Sequence, residues 1–258
     1  MVDQPAIRAG YADCRFGQIH YRARTPAAGN LEPLLFLNPR SRSCLRLLPS
    51  IEAQRPVYIV DVPAYGASSP PTESCTMEEV AAAVVQFMDD VRISAAHFCG
   101  FHTGAKVAAA LAANWPARAV SLVVCGKSHS LIPDRQARNA AMRGQLALRK
   151  PDVALVAMES FCADDDGRAR GVARVYDANF AFDLAGAMAK AACPTLVIEF
   201  TAPDEDVRHG RQAKALAAQA REGQALELAE IESMGVDLYV GAETLGRALR
   251  AFVGRLTA

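Results

Sequence analysis

The sequence predicts an α/β domain in which a mostly parallel sheet is covered by helices on both faces. Short apolar runs alternate along the chain with stretches of helical periodicity, which is the sequence form of such a sheet. The chain has 258 residues, of which 51% are hydrophobic, so it is long enough to bury the core of one large domain. It contains no internal repeat and no low-complexity linker.

Most elements are predicted from local patterns. Apolar or alternating runs predict strands over residues 18–24, 33–37, 57–61, up to 99, 119–125, 194–200 and 225–231. Thr76 and Glu79 form a capping box that begins a helix. A second helix of small residues is predicted over 103–114, directly after a strand. The C-terminal helix places four apolar side chains on one stripe: Leu245, Leu249, Phe252 and Leu256.

The alternation of predicted strands and helices is interrupted between residues 130 and 182. This stretch is rich in Ala, Arg and Asp and is mostly helical in character. We therefore predict one domain with a core formed by residues 1–129 and 183–258, and a small helical lid inserted over 130–182. The acidic run at 164–166 is interpreted as solvated surface rather than as a metal site.

Charge and cysteine content exclude several classes of protein. Basic and acidic residues number 28 each, so the chain has no net positive charge that would attract nucleic acid or an anionic membrane. A small molecule is the expected partner. The N-terminal residues do not resemble a signal peptide, and no run reaches the roughly 20 apolar residues of a membrane span. Seven scattered cysteines without a C-x-x-C pair predict reduced thiols and a cytoplasmic location, and they argue against a disulfide framework and a zinc site. No metal and no cofactor are expected.

Several motifs follow one another in a recognisable order. QIHY at 18–21 precedes PLLFLNP at 33–39, and DVPAYGAS follows at 61–68. GFHTG occupies 100–104, between a strand and a helix, and PTLVI occupies 194–198. Taken together, these motifs resemble the α/β-hydrolase fold superfamily over residues 18–256. The resemblance implies an α/β-hydrolase fold, with a mostly parallel central sheet and a lid.

The segment GFHTG resembles the family's nucleophile elbow, G-x-S-x-G. In the family, the central residue lies on a strained turn from strand to helix, and the flanking glycines avoid clashes with the sheet and the helix. Gly100 and Gly104 keep this pattern here, but the central residue is His102 instead of a serine, cysteine or aspartate. The resemblance therefore implies that an imidazole stands at the mouth of the pocket.

Further departures concern the other catalytic groups of the family. The usual His-Gly after the third strand is Asn38–Pro39, and the resemblance implies an oxyanion hole formed by the amides of Arg40 and Thr103. The acid is implied at Asp204, whereas Val236 occupies the place of the family's catalytic histidine. A Ser-His-Asp mechanism is therefore not expected.

The favoured interpretation is an enzyme that uses His102 as a general base. The dipole of the following helix favours the neutral, proton-accepting imidazole. Since strand ends face the site in this architecture, Asn38, Lys127 and His129 are candidates for binding a substrate. The positive charge of Lys127 suits a carboxylate on that substrate. The reaction is then hydrolysis or a cofactor-independent lyase reaction.

Two alternatives from other functional classes stay open. The first is a catalytically inactive, ligand-binding pseudoenzyme in which the lid and the pocket hold a small molecule. The second is an interaction or scaffold subunit with a collapsed pocket, in which His102 only fills space. His20 and His97 are interpreted as structural, and Asp61 and Ser68 as parts of a turn.

Overall fold

Eight strands form one sheet in the order β1-β2-β4-β3-β5-β6-β7-β8. The fold is that of a computed structural model, which describes residues 6–27, 30–38, 41–126, 166–201, 226–232 and 241–256. Strand β2 is antiparallel to both of its neighbours, and all other pairs are parallel. The strands are β1 (Arg8–Cys14), β2 (Gly17–Arg24), β3 (Leu34–Asn38), β4 (Val57–Asp61), β5 (Ala96–Phe101), β6 (Ala119–Cys125), β7 (Thr195–Thr201) and β8 (Leu226–Glu232).

Helices cover both faces of this sheet, as the sequence predicts. The described helices are α1 (Met77–Asp90), α2 (Thr103–Asn114), α3 (Asp166–Ala181), α4 (Leu184–Lys190) and α5 (Ala242–Leu256), with 3₁₀ segments at Ser41–Ser50 and Pro116–Arg118. One apolar core joins the sheet to α1, α2, α3 and α4. A second core joins the opposite face to the 3₁₀ segment Ser41–Ser50 and to α5.

The predicted elements agree closely with the structure. The strands β4 and β6 and helix α2 have the predicted bounds, and the other predicted strands end within two residues of prediction. The capping box of α1 is confirmed: Glu79 N donates to Thr76 Oγ1 (3.2 Å), and Thr76 N donates to Glu79 Oε2 (2.9 Å). Strand β1 and the 3₁₀ segment Ser41–Ser50 were not predicted, because β1 is mostly exposed and its apolar alternation is weak.

The motif after β4 forms a compact turn that is bound to β2. The His20 ring nitrogen Nδ1 lies 2.8 Å from Asp61 Oδ2, and both side chains are buried. Ser68 Oγ donates to Asp61 O at 2.7 Å. A Cβ on Gly66 would lie 2.1 Å from Asp61 Oδ2, so glycine is required there. The prediction that His20, Asp61 and Ser68 are structural agrees with these contacts.

Helix α3 lies within the predicted lid and is anchored on this turn. Arg168 Nη1 donates to Gly66 O (3.0 Å) and to Ser68 O (2.9 Å), and Arg174 Nη1 donates to Pro71 O (2.9 Å). The rest of the predicted lid, residues 130–165, lies outside the described residues. The division into core and lid therefore stays a prediction. None of the described helices is long and apolar enough to cross a membrane.

Candidate active site

A sharp turn connects β5 to α2 and carries His102. Strand β5 ends at Phe101, helix α2 begins at Thr103, and His102 between them has φ 49° and ψ −113°. Glycine is the residue that adopts such angles without penalty, and other side chains pay about 1–3 kcal/mol there. The turn is fixed to the neighbouring strand because His102 N donates to Cys125 O at 3.1 Å.

The two glycines that flank His102 are required by close backbone contacts. A Cβ on Gly104 would lie 1.9 Å from Leu37 O, and one on Gly100 would lie 2.3 Å from Gly104 O. Neither contact leaves room for a side chain, so α2 approaches β3 and β5 more closely than any other residue would allow. The two glycines of G-F-H-T-G are therefore explained by the packing of this turn.

The imidazole of His102 is half-buried. Its Nε2 atom is shielded from solvent, while the residue as a whole keeps partial exposure. His102 is the N-cap residue of α2, at the positive end of the helix dipole.

Of the two amides predicted to form an oxyanion hole, one lies within the described residues. Thr103 is the first residue of α2, and its amide belongs to the first turn, where the helix itself supplies no acceptor. Its side chain is buried, at 3% exposure. Arg40 lies outside the described residues, so the pairing of the two amides stays a prediction.

Asn38 lies at the end of β3 and is fully buried. Its Nδ2 atom lies 3.4 Å from Ser43 Oγ and 3.4 Å from Cys44 Sγ, both on the 3₁₀ segment Ser41–Ser50. Asn38 therefore connects the end of β3 to that segment. The predicted contact of Asn38 with a substrate stays a prediction.

Three buried cysteines lie on the face of the sheet that carries the second core, near the strand ends. Burial raises the pKa of the Cys44 thiol to about 12 and also raises the pKa of the Cys99 thiol, which is close to Cys125. A thiol with a raised pKa is a poor nucleophile, since the thiolate is the reactive form. The six described cysteines are free, so none of them forms a disulfide within the described residues.

The remaining predicted residues lie outside the described part of the chain. Lys127 and His129 follow β6, where Gly126 N still donates to Ile198 O at 3.0 Å, and Asp204 follows β7. Their proximity to His102 stays a prediction. Within the described ranges, no group of three His, Cys, Asp or Glu side chains is arranged to hold a metal ion.

One residue near the turn was missed in the sequence. Lys106 lies four residues after His102, is only 2% exposed, and donates from Nζ to Asn179 O in the last turn of α3. The signal was available, because Lys106 is the only charged residue in a helix of small and apolar residues. A charge in such a helix must find a buried partner.

Comparisons with known proteins identify the fold. The family model for the α/β hydrolase fold matches residues 37–161. The structure of an enol-lactonase from Burkholderia xenovorans LB400 has a TM-score of 0.70 at 20% identity and covers 95% of this chain and 100% of that one. A thermophilic esterase from Thermogutta terrifontis gives 0.71 at 15% identity, covering 97% and 100%. The chain therefore has the α/β-hydrolase fold.

One further solved structure and one sequence match are also similar to this chain. A haloalkane dehalogenase loop variant from Bradyrhizobium elkanii gives a TM-score of 0.72 at 15% identity, covering 98% of each chain. In sequence, the chain is 33% identical over 99 residues to the dihydrolipoyllysine-residue acetyltransferase component of the acetoin cleaving system of Cupriavidus necator. That alignment covers 37% of this chain and spans about a quarter (26%) of the relative.

Proposed function

We propose that this chain, as a member of the α/β-hydrolase superfamily, is an enzyme that acts on a small organic substrate with His102 as its general base. The observation that carries the proposal is the backbone of His102, a residue with a side chain at angles that favour glycine. A strained backbone persists where the position of a side chain matters, and it suggests function more than fold.

The chemistry follows from what an imidazole does at this turn. His102 removes a proton from water, and the resulting hydroxide adds to the acyl carbon of an ester or lactone. The Thr103 amide donates a hydrogen bond to the oxyanion, together with the amide predicted at Arg40. Collapse of the intermediate expels the alkoxide, which recovers the proton from His102. In the lyase version, His102 instead removes a proton from the substrate.

Two of the three similar solved structures support an ester-like substrate for this chain. They are named as an enol-lactonase and an esterase, whereas the third is named as a haloalkane dehalogenase, and all three have this fold. An ester or lactone is the substrate class that an oxyanion hole suits. A carboxylate on the substrate would suit Lys127, which follows β6 in the sequence.

A second candidate function is a ligand-binding protein without catalysis. It is favoured by the shielding of the His102 Nε2 atom, because a base must meet water or substrate. It is also favoured by Val236, which occupies the place of the family's histidine. In this candidate the turn and the lid hold a small molecule, and no product is formed.

A panel of p-nitrophenyl esters, lactones and haloalkanes separates the two candidates. Turnover is measured for the wild type, His102→Gln and His97→Gln, the last of which removes an imidazole from the opposite end of β5. We expect His102→Gln to lose about a hundredfold in kcat/KM, the usual contribution of a general base, and His97→Gln to keep its turnover per folded molecule. Equal loss in both variants, or none in either, contradicts the proposal. Binding of panel compounds without turnover in any variant supports the second candidate.

A further inference from the structure

Lys106 connects two helices that the sequence predicts to belong to different parts of the domain. It lies in the second turn of α2, and its Nζ donates to the main-chain oxygen of Asn179 in α3. Both residues are 2% exposed. A buried ammonium is tolerated only with hydrogen-bond acceptors, and Asn179 O is one of them.

The acceptor is a carbonyl that α3 cannot satisfy by itself. The last four carbonyls of a helix have no partner within it, and α3 ends two residues after Asn179, at Ala181. The C-terminal end of a helix also carries partial negative charge. The ammonium of Lys106 therefore caps α3 from a neighbouring helix, which is an arrangement that attracts a cation.

The path from Lys106 to His102 is short and closely packed. Ala105, the residue before Lys106, donates from its amide to His102 O at 3.0 Å. The Cα of Ala105 would lie 2.4 Å from a Cβ on Gly100, so the first turn of α2 packs closely against β5. The residue next to Lys106 in α2 is therefore in direct contact with the turn that carries His102.

The other end of α3 is held independently. Arg168 and Arg174 bind carbonyls of the turn after β4, and a Cβ on Gly171 would lie 2.2 Å from Pro70 Cβ. With Lys106 at its C-terminal end, α3 has a polar contact toward each end. Helices α1 and α2 also pack against it in the first apolar core.

We propose that Lys106 is a positioning residue that couples helix α3 to the His102 turn through its bond to Asn179 O. The inference deepens the proposed function and rests on it for its catalytic meaning, because the orientation of His102 matters to turnover only if His102 is the base. The coupling itself is measured without turnover.

The test compares Lys106→Met with Lys190→Met. Methionine keeps the buried stem of Lys106 but removes the ammonium, and Lys190 is an exposed lysine at the end of α4 that serves as the control. Hydrogen exchange reports on the last turn of α3. The ring signal of His102, assigned by its loss in His102→Gln, reports on the turn by NMR.

We expect exchange in the last turn of α3 to accelerate about tenfold or more in Lys106→Met, as for a buried carbonyl that loses its donor, and the His102 ring signal to shift. Lys190→Met should change neither. Unchanged exchange in α3 would overturn the bond. Faster exchange with an unmoved His102 signal would overturn the coupling and leave Lys106 as a cap only.

A conservative variant separates positioning from general instability. Lys106→Arg keeps a cation and should restore both the α3 protection and the His102 signal, whereas a merely space-filling role predicts no such rescue. If Lys106→Met does not fold, Lys106→Gln is measured in its place with the same expectations. A shifted His102 signal in Lys106→Met together with full turnover in His102→Gln would uphold the coupling and reject the proposed function. The reverse pair of results would reject only the coupling.

Discussion

Two histidines lie at the ends of strand β5, His97 near its start and His102 directly after its end. Their surroundings differ. His97 is fully buried, its Nδ1 lies 2.9 Å from Ser121 Oγ, and burial, with a smaller effect from Arg55, lowers its pKa to about 4. His102 is half-buried, and its backbone is strained. Burial and the contact with Ser121 account for His97 as a residue of the core. Packing does not explain why a side chain is retained at 102, where glycine would relieve the strain, and the proposed role of His102 rests on this contrast.

The largest expected effect is on turnover in His102→Gly. Removing the imidazole should lower kcat/KM by about a hundredfold to ten thousandfold if His102 is the base. The same change should raise the free energy of unfolding by about 1 kcal/mol, because glycine adopts these backbone angles freely. Kinetics on the ester panel and denaturant titration measure the two quantities. A variant that loses stability together with activity would place His102 in the same class as His97.

The second prediction concerns pH and His97. Well above pH 6.5 the ring is neutral in both states, so it adds no pH dependence. As the pH falls through 6.5 toward 4, the unfolded chain takes up a proton that the folded chain refuses, because the folded pKa is about 4. The free energy of unfolding should therefore fall by about 2.5 kcal/mol between pH 7 and pH 4.5 from this residue alone. Denaturant titrations at these two pH values check this fall.

The control for the pH prediction is the His97→Gln variant. Carboxylates also contribute to the acid response, so the relevant quantity is the difference between the wild type and this variant. We expect the variant to lose less stability between pH 7 and pH 4.5 than the wild type. Parallel pH profiles for the two proteins would contradict the burial of a neutral imidazole at 97.

A third prediction tests the close packing of α2 against β3. Gly104→Ala places a Cβ 1.9 Å from Leu37 O, so we expect a loss of about 2–3 kcal/mol in the free energy of unfolding. Gly254→Ala, within α5, is the matched control. Among the described residues, a Cβ at this position would meet only Glu52 Oε1, at 3.8 Å. Alanine in a helix should stabilise that variant by about 0.5–1 kcal/mol. Equal effects at the two glycines would mean that α2 is not packed closely against β3.

The smallest expected effect is at Arg92, which shares the positive φ of His102 but not its position. Arg92 is exposed after the C-terminus of α1 and has φ 60°. Arg92→Gly should gain about 0.5–1 kcal/mol in the free energy of unfolding and leave turnover on the panel unchanged. Thermal and chemical denaturation measure the gain. A loss of turnover in this variant would show that relief of backbone strain anywhere, not the imidazole, governs activity.

Local sequence patterns sufficed for most of the fold. Buried parallel strands such as β4 and β6 are continuous apolar runs bounded by polar residues, so their bounds could be predicted. The capping box at Thr76 was predicted for the same reason, because its hydrogen bonds are local. Strand β1 was missed because it lies at the sheet edge, where exposure removes the apolar signal.

The site was predictable only in part. The position of His102 on a sharp turn followed from the resemblance of residues 100–104 to the family's elbow, whose flanking glycines are kept as Gly100 and Gly104. The contact of Lys106 with Asn179 could not be predicted, since the two residues are 73 positions apart. Likewise, the contact of Asn38 with Cys44 depends on how the chain turns after β3, and no local pattern specifies that turn.

The glycines around position 102 have a consequence for protein engineering. A Cβ at either glycine would meet backbone atoms of α2 or of β3, and not the side chain at 102. A serine, cysteine or aspartate exchanged for His102 would therefore leave these backbone contacts in place. Exchange of this one residue is thus the way to change the chemistry of the turn while its glycine packing is kept.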